Sequence, residues 1–171
     1  MAGSPQPTEF QGDDVSRESS AVASPDPLTL ERQVCFALVV ASRSVLSVYR
    51  PLLEPMGLTH PQYLVMLALW GQSPLSVREL GNLLQLDSAT LSPLLKRLAR
   101  AGLITRTRSD DDERRLRIEL TQLGRDLRKR AEQIPPAVVA RLGIDISELE
   151  LLRAALTKVI KAALETNEQS G

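Results

Sequence analysis

One cysteine and one histidine occur among the 171 residues, and aromatic side chains make up only 3% of the chain. A lone cysteine excludes an intramolecular disulfide, and a lone histidine excludes most His-containing metal sites and Ser-His-Asp schemes. No glycine-rich phosphate loop is present, so neither a cofactor nor a metal is expected. With so few aromatics the interior must be built from Leu, Val, Ala and Ile, which favours packed helices over an aromatic-rich sandwich. Charge of one sign is also missing, with 21 basic against 21 acidic side chains, so the chain as a whole gives no sign of a polyanion partner. Apolar runs such as Leu64–Trp70 are far shorter than the ~20 residues of a membrane helix, and no basic stretch followed by an apolar one opens the sequence. The expectation is a soluble, cytoplasmic chain without a membrane partner, of a size that suits one domain of roughly 100–200 residues.

What is present is unevenly distributed. Residues 1–27 carry four prolines among Ser, Gln and Glu without helical or strand period, the composition of a disordered tail, and 167–171 read as a second short tail. Residues 96–130 hold twelve basic and six acidic groups, whereas 1–31 hold one and six. A neutral chain can therefore still present a basic face.

From Leu28 to Val48 the apolar positions Leu30, Val34, Leu38, Ala41, Val45 and Val48 step by three and four, and Cys35, Phe36, Val39 and Val40 widen the stripe. Such a width fits a subunit interface, and Arg50-Pro51 should end the helix. Thr59-His60-Pro61 opens a second helix through Trp70. Ser76 and Glu79 have capping-box spacing for a short helix to about Leu84, and Asp87-Ser88 caps another that ends near Gly102. Leu103–Arg108 and Arg115–Leu120 read as the strands of a hairpin with a charged tip between them. Thr121 caps a long helix interrupted near Pro135-Pro136, and Ser147 with Glu150 opens a last amphipathic helix through Leu164. This order predicts a mainly α fold: a winged helix-turn-helix over about 62–120, flanked by dimerisation helices over 28–56 and 121–166, with 28–166 as one functional unit.

In such a unit the second helix of the pair enters a major groove. Ser88, Ala89, Thr90, Ser92 and Pro93 are small or hydroxylated, so that backbone and hydroxyls can approach bases, and Lys96 and Arg97 can reach phosphates. The hairpin adds Arg106, Arg108, Arg114, Arg115 and Arg117. An Arg at its tip suits the narrow minor groove, and Asp112 can orient Arg114.

The segments Gln33-Val-Cys35-Phe-Ala-Leu, Tyr49-Arg-Pro51-Leu-Leu, His60-Pro61-Gln62-Tyr63-Leu, Leu86-Asp-Ser88-Ala-Thr-Leu-Ser-Pro93-Leu-Leu-Lys96-Arg97 and Gly102-Leu-Ile-Thr-Arg106 through Asp112-Glu-Arg114 resemble the MarR family, specifically its one-cysteine, organic-hydroperoxide-sensing repressors (OhrR type). The resemblance runs from about Leu28 to Leu164. It implies a homodimer with interlocked first and last helices, a double-stranded palindromic operator, and a transcriptional regulator rather than an enzyme. On residue type alone Cys35 is either a small buried hydrophobe or a reactive thiol. The resemblance implies the second: Cys35 reacts with an organic hydroperoxide and is then resolved by a small cellular thiol, since its own chain offers no second one. It also implies phenols that stabilise the thiolate. Tyr49 stands at one such position, Val39 replaces another, and His60 replaces a third beside Tyr63. A cationic His60 reaching the partner subunit's Cys35 would favour thiolate near neutral pH, and Arg43 or Arg50 could assist. Two other functions compete. One is a repressor released by a non-covalent phenolic or lipophilic ligand with Cys35 passive, and the other is a thiol peroxidase.

Overall fold

The computed structural model describes residues 28–30, 33–108 and 116–169. The chain divides into two compact units, Met1–Ala37 and Leu38–Gly171, and the boundary falls inside the first long helix. In the first unit the Gln33 N–H donates to the Leu30 carbonyl at 3.0 Å and the Ala37 N–H to the Gln33 carbonyl at 3.2 Å. These bonds start α1, Val34–Leu53.

α1 begins later than the sequence period suggests and runs through Pro51 instead of stopping before it. A proline lacks one N–H, so only the Ser47 carbonyl is left without its helical partner. The chain then tightens into a 3-10 turn over Glu54–Met56, closed by Gly57 at φ 70°, a left-handed position that glycine fills without a Cβ clash. Val34–Met56 is also long and apolar enough (mean hydropathy 1.3) to cross a membrane by length and composition alone, and most of it is not buried. Counting uninterrupted runs missed this because Arg43 and Arg50 break the runs but scarcely lower the mean.

The second unit continues with α2 (His60–Gly71), β1 (Leu75–Ser76), α3 (Val77–Leu84), α4 (Ser88–Arg100), β2 (Ile104–Arg108), β3 (Leu116–Leu120), α5 (Gln122–Ala131), α6 (Ile134–Leu142) and α7 (Ile146–Gln169). The caps explain the boundaries. Gln62 Oε1 accepts from the Thr59 N–H at 2.8 Å and from its hydroxyl at 2.9 Å. Ser76 and Glu79 exchange bonds of 2.7 and 3.2 Å, the reciprocal box its spacing predicts. Asp87 Oδ1 accepts from the Thr90 N–H at 2.6 Å. Between α3 and α4 the chain turns at Gln85 (φ 52°), whose amide donates to the Asn82 carbonyl at 2.7 Å. Gly102 ends the α4 region at φ 71°, as the sequence predicts.

The predicted long helix after Thr121 is two helices, with Pro135 and Pro136 inside the first turn of α6, where their missing N–H groups leave no helical bond unmade. α7 starts one residue before Ser147, and the Leu149 N–H bonds the Asp145 carbonyl at 3.1 Å. Asp145 thus stands at the boundary that the Ser147 spacing marked.

The sheet has the order β1-β3-β2, all antiparallel, with Leu75 opposite Ile118 and Arg106 opposite Ile118 on the other side. The two-residue β1 escaped the sequence reading because it is too short to show alternation. The core gathers Leu53, Tyr63, Val65, Met66, Leu69, Leu80, Leu91, Leu95, Leu98, Ile104 and Ile118. These residues join α2, α3 and α4 to the sheet and hold the helix-turn-helix rigid. The architecture is a mainly α winged helix-turn-helix.

Candidate functional site

Two groups of predicted residues can be located. In the first, the end of α1 and the start of α2 bring three titratable rings together. The Tyr49 and His60 ring centroids are 4.9 Å apart in an edge-on arrangement (72°), Tyr49 and Tyr63 are 6.2 Å apart, and His60 and Tyr63 are 6.5 Å apart. The helix start at Thr59 fixes His60 on the first residue of α2 and Tyr63 one turn later, on the same side. Burial pushes the Tyr49 and Tyr63 hydroxyls above their usual pKa, the Tyr63 hydroxyl also through the neighbouring Tyr49 charge. The same desolvation lowers His60 below 6.5. Each shift favours the neutral form, and a neutral imidazole keeps one N–H to donate, the weaker of the two forms in which His60 can act. Neither phenol is engaged in a hydrogen bond among the described residues.

Beside His60 lies a groove of about 530 Å³ lined by Leu46, Arg50, Leu53, Glu54, Gly57, Leu58 and Thr59. Cys35, on α1, is an exposed free thiol. Val39 is 46% exposed.

The second group is basic. On α4, Ser88, Ala89, Thr90, Pro93, Lys96 and Arg97 are exposed and Ser92 is half-buried, opposite the buried Leu91, Leu94, Leu95 and Leu98. Pro93 stands inside the helix, and because it has no N–H the Ala89 carbonyl is left to solvent or a ligand. The Thr90 hydroxyl also bonds Asp87, whose carboxylate is held below its usual pKa first by the Thr90 backbone N–H and then by that hydroxyl. Arg106 and Arg117 are exposed. Their registers, Arg106 opposite Ile118 and Thr107 opposite Arg117, place them on opposite faces of the ribbon. Arg108 ends β2. Asp112, Arg114 and Arg115 lie outside the described residues.

The basic block of 96–130 is not uniformly available. Arg125 donates to the Leu120 carbonyl at 2.7 Å, Arg128 to the Trp70 carbonyl at 3.3 Å and Arg130 to the Pro55 carbonyl at 2.9 Å. These three arginines tie α5 to its neighbours, which a charge count along the sequence cannot reveal.

Trp70 was also missed as more than a core residue. Its ring centroid is 6.3 Å from that of Tyr63, and its Nε1 donates to the Gly124 carbonyl at 2.8 Å. The sequence carried a signal for it: the chain's one tryptophan stands seven residues after Tyr63, on the same helix face.

Comparison with known proteins fits this geometry. The MarR family model matches residues 58–116. An organic hydroperoxide resistance transcriptional regulator of Bacillus subtilis is 40% identical over 142 residues, covering 83% of this chain and 97% of that one. Reduced AbfR bound to DNA, a Staphylococcus epidermidis protein, superposes with a TM-score of 0.66 at 32% identity, covering 79% of this chain and 94% of that one. Overoxidized AbfR, also bound to DNA, gives 0.65 at 33% identity, covering 78% and 94%. The chain belongs to the MarR family and is a regulator of transcription, not an enzyme.

Proposed function

We propose that this regulator is a homodimeric repressor that binds a palindromic operator when Cys35 is reduced and releases it after an organic hydroperoxide oxidises that thiol. The observation that carries the reading is the trio Tyr49, His60 and Tyr63: three partly desolvated donors, with neither phenol hydroxyl bonded among the described residues. In the dimer, Cys35 of one protomer meets this trio of its partner. O–H and N–H donors lower a thiol pKa by bonding the charged form, without a formal positive charge. The thiolate attacks one peroxide oxygen. The O–O bond breaks, the alcohol leaves with a proton, and Cys35 becomes a sulfenic acid. A small cellular thiol then displaces water to give a mixed disulfide.

AbfR is bound to DNA in its overoxidised form, so in that protein overoxidation is compatible with DNA. Release is therefore assigned to the bulk of the mixed disulfide, which repacks the subunit interface and moves the two winged units out of register with grooves about 34 Å apart. The exposed apolar residues Val34, Phe36, Val39, Val40 and Leu46 of α1, and Leu151, Leu152, Val159, Ile160 and Leu164 of α7, supply that interface. DNA is read by Ser88, Ala89, Thr90, Ser92 and Pro93. Lys96, Arg97, Arg106 and Arg108 hold phosphates, and Arg114, oriented by Asp112, enters the minor groove. A regulator of this kind acts in the cytoplasm.

The groove beside His60 favours one alternative, a repressor released by a non-covalent phenolic or lipophilic ligand. Cys35→Ser decides between them. The variant should bind operator DNA as the wild type does and stay bound after cumene hydroperoxide and cysteine. Release of the variant would remove the redox reading and leave the ligand reading.

A further inference from the structure

We infer that Trp70 is a positioning residue for the redox response, the link through which the ring cluster moves both DNA-reading elements. The inference rests on the sensing role proposed above for Tyr49, His60 and Tyr63. Every residue in the link belongs to the unit Leu38–Gly171.

The link starts at Tyr63, which is 2% exposed and stands against both Tyr49 and His60. Its ring meets Trp70 edge-on, at 6.3 Å and 66°. Trp70 is held by α5 at two points, its indole N–H on the Gly124 carbonyl at 2.8 Å and its own carbonyl on Arg128 Nη1 at 3.3 Å. Gly124 rests directly on the backbone of Leu103, where a Cβ would clash with the carbonyl oxygen. Such close packing couples the position of α5 to that of Leu103.

Thr121 closes the junction. Its N–H donates to the Leu103 carbonyl at 3.1 Å and its hydroxyl to the Gly102 carbonyl at 2.6 Å, while that hydroxyl accepts from the Gly124 N–H at 3.0 Å. Gly102 and Leu103 join α4 to β2, and the Leu103 N–H bonds the Leu98 carbonyl inside α4 at 3.1 Å. Direct contacts thus run without a gap from the rings to the recognition helix and the wing root.

The switchable element is the Trp70–Gly124 bond. Packed interiors change between discrete arrangements instead of deforming gradually. When Tyr63 shifts in answer to an adduct on Cys35, Trp70 either follows and breaks the bond or holds its place and keeps it. Breaking it leaves a half-buried donor and a carbonyl unpaired, so the state of the cluster and the position of α5 become one equilibrium.

Trp70→Phe keeps an aromatic ring and removes the donor, and the full-length protein can be tested on a palindromic operator fragment before and after cumene hydroperoxide with cysteine. Reduced Trp70→Phe should bind within about threefold of wild type and its Cys35 should oxidise at the wild-type rate, while the ratio of oxidised to reduced Kd falls ~tenfold below the wild-type ratio. Arg128→Ala, at an exposed position, removes the second bond together with the exposed ion pair to Glu132 at 3.4 Å, and should lower the same ratio by a smaller factor. As the chain's one tryptophan, Trp70 should also change its emission when wild type is oxidised and not when Cys35→Ser is treated. A purely structural Trp70 would weaken both redox states together and leave the ratio intact. Wild-type ratios in both variants would overturn the inference alone, whereas wild-type protein that stays on DNA after oxidation would overturn the redox reading and the inference with it.

Discussion

Two helices of the second unit, α4 and α7, carry apolar residues at the same spacing and do opposite things with them. α4 buries Leu91, Leu94, Leu95 and Leu98 within its 13 residues. α7 is 24 residues long and leaves Leu151, Leu152, Val159, Ile160 and Leu164 between 40% and 73% exposed. Burying a leucine fully stabilises a fold by about 1.5–3 kcal/mol, so α4 draws its stability from its own chain and α7 does not. A helical period reveals that a stripe will be covered, but not whether the same molecule covers it. The reading of α7 as half of a subunit interface follows from this contrast.

The contrast breaks most visibly if α7 does not need a second copy. Leu152→Glu together with Ile160→Glu should leave a monomer by light scattering and lower affinity for a palindromic operator by ~10²-fold or more, since two linked half-sites then bind independently. A dimer mass for this variant would end the interface assignment. The other side of the comparison is tested by Leu98→Ala, which removes a fully buried side chain and should cost about 2–5 kcal/mol in urea unfolding. Leu83→Ala, 61% exposed on α3, should stay within about 0.5 kcal/mol of wild type.

A smaller effect separates the two uses of basic residues. Arg106→Ala and Arg114→Ala should each weaken DNA binding several-fold and reduce the slope of log Kd against log salt by about one unit. Arg130→Ala, whose guanidinium is committed to the Pro55 carbonyl, should leave that slope unchanged.

The smallest effect concerns His60. With its pKa lowered in the fold, the unfolded chain binds more protons than the native one between the lowered value and 6.5. Stability should therefore be flat above about pH 6.5 and fall as the pH drops below it. His60→Gln should remove that slope in pH-dependent thermal melts. For Cys35, the rate of oxidation between pH 6.5 and 8 should show no inflection from His60. His60→Ala should slow the rate by removing a donor, and His60→Tyr should restore it.

Much of this was legible in the sequence because it depends on local chemistry. Ser76 with Glu79, Asp87 before α4, Thr121 before α5 and glycine at 102 each act within three or four residues, and each stands where its spacing places it. The ends of α1 and α7 were less legible. Pro51 is tolerated because a single carbonyl near a helix end loses its partner, and Asp145 takes the boundary that Ser147 could equally have marked. The site was legible as a set of residue types, and its charge state was not. Burial lowers the His60 pKa, a property of packing between helices. Nor could the sequence separate Arg125, Arg128 and Arg130, bonded to carbonyls, from Lys96, Arg97 and Arg106.

Asp87 has a consequence for how such a protein would meet the DNA backbone. Its carboxylate, kept ionised by Thr90, occupies the N-terminus of α4, the end at which free N–H groups would otherwise attract a phosphate from any sequence. With that end filled by a fixed anion, the helix tip offers no phosphate site of its own, and a backbone held near it must be held by basic side chains elsewhere.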